Sequence, residues 1–489
     1  MKLNRSISIA AALILVSAAG GAGATPDGFT EETIDRIRDR AARAEERIEA
    51  ARQRAETAAA ERAEAGRDRA EAVAADRAEA GRDRAAVAIG RRLDNAQMLA
   101  ASQAQGAQDR VLAYPDRLEM TDVGPAVRGQ VVAIDPDPAV LTAARKAGFA
   151  VIAEEVIEGL DMRSVTLRTP RGVSVQHSLA QLLRIAPGTE FAANHLHRQS
   201  GAAAADGSSG PSTGATALAQ GTTSAGAGRR AAPAGGSIGI IDGGVARHAS
   251  LHGAVEQRGF SPGGPKPDAH ATAVASLAVG RGPVWGAAPG VPLLVADIYG
   301  SDPAGGNALA LVRALGWMAV RKSPVVVVSL VGPANRLVAR AVAEAQARGI
   351  LLVAPVGNGG PAAPPAYPAS YPGVIAVTGV DGRNRALIEA GRSLHLDYAA
   401  PGADMAAANL TGGLAAVRGT SFAAPFVAGR LYHAVVAGSS PLSRLNEEAV
   451  DLGSPGPDRV HGRGLVCGMC RTSIPKKMRS LGLKNVRSR

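Results

Sequence analysis

The 489-residue chain has room for two or three domains, and its 46% hydrophobic content suffices for a core although aromatics make up only 3%. The formal charge is +11, but Arg471 to Arg489 alone holds seven positive and no negative residues, which excludes a chain that is basic throughout. No segment after the first 24 residues reads as a membrane-spanning helix.

In chain order, residues 1–24 open with Lys2 and Arg5, continue through an apolar run from Ile7 to Val16, and end in small residues up to Ala24. That pattern predicts a secretory signal peptide cleaved before Thr25, and hence a periplasmic or extracellular location. Residues 25–106 form an Ala/Arg/Glu-rich segment. Apolar residues fall at 34, 37, 41, 44, 48, 51, 55 and 58, a heptad spacing. A nine-residue block at Arg62–Ala70 then recurs at Arg77–Ala85, breaking that register. Interleaved charges support a solvated helix. Two roles are open for it: a spacer, or a coiled coil through which the chain associates with itself.

Residues 107–199 change in character. Strands are expected at Gln130–Asp135, Val151–Val156 and Ser164–Arg168, with helices at Pro138–Ala147 and Val173–Leu183. This order predicts a small α+β domain. His195 and His197 lack nearby acidic or thiol partners, which argues against a metal site. Residues 200–235 are dominated by Gly, Ala, Ser and Thr and read as a linker. From 236 to 466, apolar strands alternate with helical stretches such as Leu309–Ala319 and Ala334–Arg348, which predicts an α/β fold: a parallel sheet flanked by helices.

Four stretches of this region carry chemistry. Ser237–Val245 reads as a buried strand ending in Asp242 and a glycine turn. His270 opens the helical run His270–Ala275. Val353–Gly360 is a strand running into a turn at Asn358. Gly419-Thr420-Ser421-Phe422-Ala423-Ala424-Pro425-Phe426-Val427-Ala428-Gly429 places a serine on a tight turn just before a helix, with backbone N–H groups facing incoming negative charge.

The last run resembles the serine motif of the subtilisin-like (subtilase) proteases. The segments around Asp242 and His270 are similar to that family's aspartate and histidine motifs, in the family's chain order. The resemblance implies a serine endopeptidase in which Ser421 attacks a peptide carbonyl of a polypeptide substrate, His270 transfers the proton, and Asp242 orients the imidazole. It implies Asn358 and the Ser421 backbone N–H as oxyanion donors, and Ser329, Leu330, Val331 and Gly332 as the substrate-binding strand. Val331 and Ala366, where relatives have glycine, should narrow the first pocket toward small and medium apolar side chains. Gly243, Ala271 and Ala273 depart from the family pattern without deleting a reacting atom. No cofactor is required, and calcium binding is open but has no clear motif to support it.

The resemblance also casts residues 107–199 as a propeptide-like domain, an intramolecular inhibitor whose tail, Thr189–Arg198, lies along the cleft. Residues 467–489 comprise Cys467 and Cys470, read as a local disulfide, and a basic tail, read as solvated with contact to an anionic surface as the alternative. The rival reading is a scaffold that keeps the fold without the chemistry; fluorophosphonate labelling of Ser421 separates the two.

Overall fold

The computed structural model describes residues 31–200, 202–203 and 236–475. The expected signal peptide, most of the linker and most of the basic tail lie outside them.

The chain divides into two units, residues 1–89 and 90–489. The first holds the start of a single helix, α1 (Glu31–Ala113), in which Ile48 and Val73 are exposed. The expected segment ended at 106, but helix continues to Ala113 and stops two residues before Pro115, which disfavours helical backbone in the residue it follows.

In the second unit, β1 (Leu118–Thr121), β2 (Gly124–Ile134), α2 (Pro138–Lys146), β3 (Ala150–Ile157), β4 (Met162–Arg168), α3 (Val175–Ile185) and β5 (Glu190–His195) build an antiparallel sheet in the order β1-β2-β4-β3, with β5 also paired to β2. The sequence reading lacked β1 and β5, the strands that complete this α+β region. One face is closed by its own helices: Val131, Ala133, Leu167 and Phe191 pack with Leu141 and Leu182. The other face carries Val132, Ile134, Ile157, Leu160 and Met162.

Next come β6 (Arg198–Gln199), β7 (Ala202–Ala203), β8 (Ile238–Asp242), β9 (Val255–Gly259), α4 (Ala269–Val279), β10 (Leu293–Asp297) and α5 (Ala308–Val320). Then follow β11 (Val325–Val328), β12 (Leu330–Val331), α6 (Arg336–Ala347), β13 (Leu351–Pro355), β14 (Ile375–Val380) and β15 (Tyr398–Pro401). The chain continues with β16 (Met405–Ala408), β17 (Leu414–Arg418), a single 3₁₀ turn (Thr420–Phe422), α7 (Ala424–Val436) and α8 (Pro441–Glu448). Seven of these strands form a parallel sheet in the order β15-β14-β13-β11-β8-β10-β9.

The strands of the parallel sheet are apolar on both faces because helices cover both. Alternate residues of one strand go to opposite layers: Ile238 and Ile240 join α4 and α7, while Ile241 joins α5 and α6. Val325 and Val327 divide from Val326 and Val328 in the same way. The layer containing α5 and α6 is also where Val132, Ile134, Ile157, Leu160 and Met162 are buried, so both regions share one core. Arg313 of α5 adds a bidentate pair to Glu155 at 2.8 and 2.6 Å. Gly316, in the middle of α5, faces the β3–β4 turn; a Cβ there would lie 2.5 Å from the Glu158 carbonyl oxygen.

Cys467 and Cys470 form the expected disulfide. No helix among the described residues is long and apolar enough to cross a membrane.

Candidate functional site

Open parallel sheets gather functional groups at the carboxyl ends of their strands, where the connections diverge to opposite sides. Here that point is the end of β8, flanked by β10 and β11. Asp242 is the last residue of β8 and is fully buried. Its Oδ1 accepts from the Gly243 N–H at 2.8 Å, and its Oδ2 lies 2.7 Å from His270 Nδ1.

His270 is the second residue of α4, a helix started by Asp268, whose Oδ1 accepts the Ala271 N–H at 2.9 Å. The other ring nitrogen, Nε2, is 2.8 Å from Ser421 Oγ, and the Phe422 ring packs at 5.2 Å centroid to centroid. Ser421 lies in the 3₁₀ turn between β17 and α7 and has no exposed surface. The turn begins at Gly419, whose φ of 145° is one a side chain rarely tolerates. A serine hydroxyl donating to an imidazole that donates in turn to a buried carboxylate is an arrangement for nucleophilic attack.

Burial pulls the His270 imidazole down, but the Asp242 carboxylate, and Asp268 behind it, outweigh that and leave it above its ordinary value. Burial pushes Asp242 up, partly offset by His270 and the Gly243 N–H. Among the described residues, Asp242, Asp268 and His270 also form the one cluster compact enough to share a cation. Their hydrogen bonds already commit these atoms within the relay and the helix cap.

Asn358 follows β13. Its Oδ1 accepts the Thr420 N–H at 2.9 Å, and the Thr420 hydroxyl donates to the Gly357 carbonyl at 3.1 Å. The amide is thereby oriented, and its Nδ2 is buried with no hydrogen-bond partner among the described residues. An unpaired buried donor is costly unless an acceptor is supplied to it.

Two short strands of the chain flank Ser421. β6 runs antiparallel to β12, pairing Gln199 with Leu330 and Arg198 with Val331. β7 runs antiparallel to β17. Between them, the Ser200 carbonyl accepts the Ser421 N–H at 3.3 Å. The segment expected to line the cleft, Thr189–Arg198, therefore divides: Glu190–His195 is a strand of the α+β sheet, and residues 197–200 enter the cleft. The His197 N–H donates to the Gly306 carbonyl. Its ring is fully buried where a Cβ on Gly332 would collide with it, and neither ring nitrogen has a partner among the described residues. Burial lowers the His197 imidazole to about 4, with His195 adding to the effect.

The remaining expected wall residues lie beside this segment. Ser329 Oγ donates to the Ser421 carbonyl at 3.4 Å. Val331 is buried, and its Cγ1 and the Ala366 Cβ both face Gly357, at 3.3 and 3.6 Å from where a Cβ there would stand. Sequence reasoning missed Gln199, whose Nε2 donates to Asp242 Oδ1 and to Asp268 Oδ1, both at 2.8 Å. Asp268 was visible only as a helix-capping residue type two positions before His270.

Comparison with known proteins bears on the family and the fold. Residues 234–438 match the family model described as the subtilase family. Over 246 residues the chain is 30% identical to subtilisin BL of Lederbergia lenta, covering 47% of this chain and 87% of that protein. It is 29% identical over 244 residues to subtilisin DY of Bacillus licheniformis, covering 47% and 88% respectively. The minor extracellular protease Epr of Bacillus subtilis matches at 28% identity over 47% of this chain, but over only 37% of its own length. Among solved structures, fervidolysin from Fervidobacterium pennivorans, described as a keratinolytic enzyme related to subtilisin, superposes with a TM-score of 0.55 at 18% identity. That match covers 71% of this chain and 61% of fervidolysin, and it bears on the fold. The chain belongs to the subtilase family and is a subtilisin-like serine endopeptidase.

Proposed function

We propose that the chain is an exported endopeptidase made as a self-inhibited precursor, in which Asp242, His270 and Ser421 form the catalytic triad and residues 107–200 are the inhibitor. One observation carries the reading: the Ser200 carbonyl accepts from the Ser421 N–H at 3.3 Å while Ser421 Oγ lies 2.8 Å from His270 Nε2. The Ser200 carbonyl is thus held at the serine, with strand pairing at Arg198–Gln199 before it and at Ala202–Ala203 after it. Ser421 Oγ bonds to the Ser200 carbonyl carbon as its proton passes to His270 Nε2. The Ser200–Gly201 bond then breaks as His270 returns that proton to the Gly201 nitrogen, and water releases the acyl group by the same route in reverse. The negative charge that develops on the carbonyl oxygen is received by the Ser421 N–H and by Asn358 Nδ2, which supplies the missing acceptor for that amide. Export is supported by the pattern of residues 1–24 and by the extracellular description of the Bacillus subtilis relative. The residues on either side of the bond, Ser200 and Gly201, indicate a preference for small side chains at the cut.

Intact masses of wild type and Ser421→Ala from an export-competent host test the proposal. Wild type should be cut after Ser200, and Ser421→Ala should keep the whole segment attached. The same cut in both would assign processing to another protease. Uncut wild type that still hydrolyses peptides would make the α+β region a permanent accessory.

A further inference from the structure

The last turns of α1 rest on the peptidase. Of residues 101–113, Gln103, Ala107, Arg110 and Val111 are partly buried and the others are exposed. Steps of four, three and one put those four on a single face of the helix. At one end of that face, Arg110 Nη2 donates to the Pro303 and Gly305 carbonyls at 2.8 and 3.3 Å, and Val111 packs against Leu196 and Ala304. The loop that receives them also holds the cleft segment: the next carbonyl, Gly306, accepts the His197 N–H, and Asn307 bridges to Leu196. Two turns earlier, roughly 10 Å along the axis, Gln103 Oε1 accepts from Arg198 Nη2. Gln103 also stands over the turn that carries Asn358, since a Cβ on Gly359 would lie 2.6 Å from its Oε1. Gly357 of that turn faces Val331, which pairs with Arg198 from the β12 side. The helix therefore reaches from the 303–306 loop, over Arg198, to the Asn358 turn.

We propose that these turns of α1 are a bar across the acyl side of the cleft, a second inhibitory contact outside the strand that enters it. The inference rests on the reading of residues 107–200 as an inhibitor and extends that inhibitor back to Gln103. β6 offers only two residues to β12, so the ladder alone grips the cut end weakly. Because the bar and the strand belong to one segment, each holds the other at high effective concentration. A polypeptide entering from the acyl side must displace the helix as well as the strand.

The test uses the full-length protein, with the cut after Ser200 verified by intact mass and active sites counted with a fluorophosphonate. The inhibition constant of the cut segment is read from the rise of specific activity on dilution. Wild type is compared with Gln103→Ala, Arg110→Met and Gln108→Ala, the last at an exposed position of the same helix. Methionine keeps the helix preference of arginine and loses its donors. Arg110→Met should weaken inhibition about tenfold and Gln103→Ala about threefold, with Gln108→Ala unchanged and kcat/KM of the dissociated enzyme equal in all four. Hydrogen exchange in the uncut Ser421→Ala chain separates a bar from a prop of the α+β fold, and it decides alone if Arg110→Met yields no processed enzyme. Adding Arg110→Met there should raise exchange at residues 196–199 and 304–306 about tenfold while β2, β3 and β4 keep their rates. Inhibition within twofold of wild type in Arg110→Met, exchange unchanged at those residues, or an equal rise in β2–β4 overturns the bar alone. Wild type that labels at Ser421 and keeps a constant specific activity on dilution, with the cut segment still present, overturns the inhibitor reading together with it.

Discussion

Acidification should loosen the segment that fills the cleft, and His197 sets the scale. Its ring is wholly buried, its nitrogens have no partner among the described residues, and burial holds its imidazole at about 4 against an ordinary 6.5. Because the docked value lies below the free one, docking is at full strength above about 6.5 and weakens as pH falls from there toward 4. At 1.36 kcal/mol per pH unit below 6.5, pH 5 costs the docked state about 2 kcal/mol, or roughly thirtyfold in affinity. His195 adds to this in the same direction. It is lowered to about 4 by burial, and its Nδ1 lies 3.1 Å from the Asn335 side-chain amide nitrogen, a donor that a protonated ring would confront with another. The assay is the inhibition constant of the cut but undissociated segment against a small peptide substrate, measured from pH 8 to 5. Wild type should lose at least about thirtyfold in inhibition, and His197→Leu, which fills the same site without a titrating group, should remove about thirtyfold of that loss. An identical pH slope in His197→Leu and wild type would refute the argument.

Two further substitutions probe the cleft. Asn358→Ala removes the unpaired Nδ2 and leaves the Thr420 N–H without its acceptor. It should lower kcat by about two to three orders of magnitude with KM little changed, and equal activity would reassign Asn358 to turn structure. Val331→Gly removes the side chain that faces Gly357 and Ala366, and should extend acceptance at the cut toward bulky apolar residues. An unchanged peptide-library profile would show that Val331 does not line that pocket.

Much of this architecture was legible because the patterns are strong and local. Val325–Val328 reads as a doubly buried strand and is one, and Gly419–Gly429 places Ser421 on its turn. The strands missed in the α+β region are those with weak local signals. Leu118–Thr121 spans four residues, and Glu190–His195 carries Asn and His among its inward positions, which reads as an extended tail. The partnership of Gln199, Asp268 and Asp242 was not legible, since it joins positions 69 and 43 residues apart that meet only once the chain has folded. Gly243 was a visible departure without an evident reason, and its reason is Asp268.

Gly316 has a consequence for the proposed maturation. A glycine inside a helix costs about 0.5–1 kcal/mol relative to alanine, and in α5 that cost is offset by the Glu158 backbone, which approaches too closely for any side chain. On the proposed maturation, departure of the α+β region would remove the approach and leave the cost, alongside the apolar surface that Ile157, Leu160 and Met162 cover. If the proposed cut frees it, the peptidase is thus fitted to the α+β region packed on α5 rather than to its freed state.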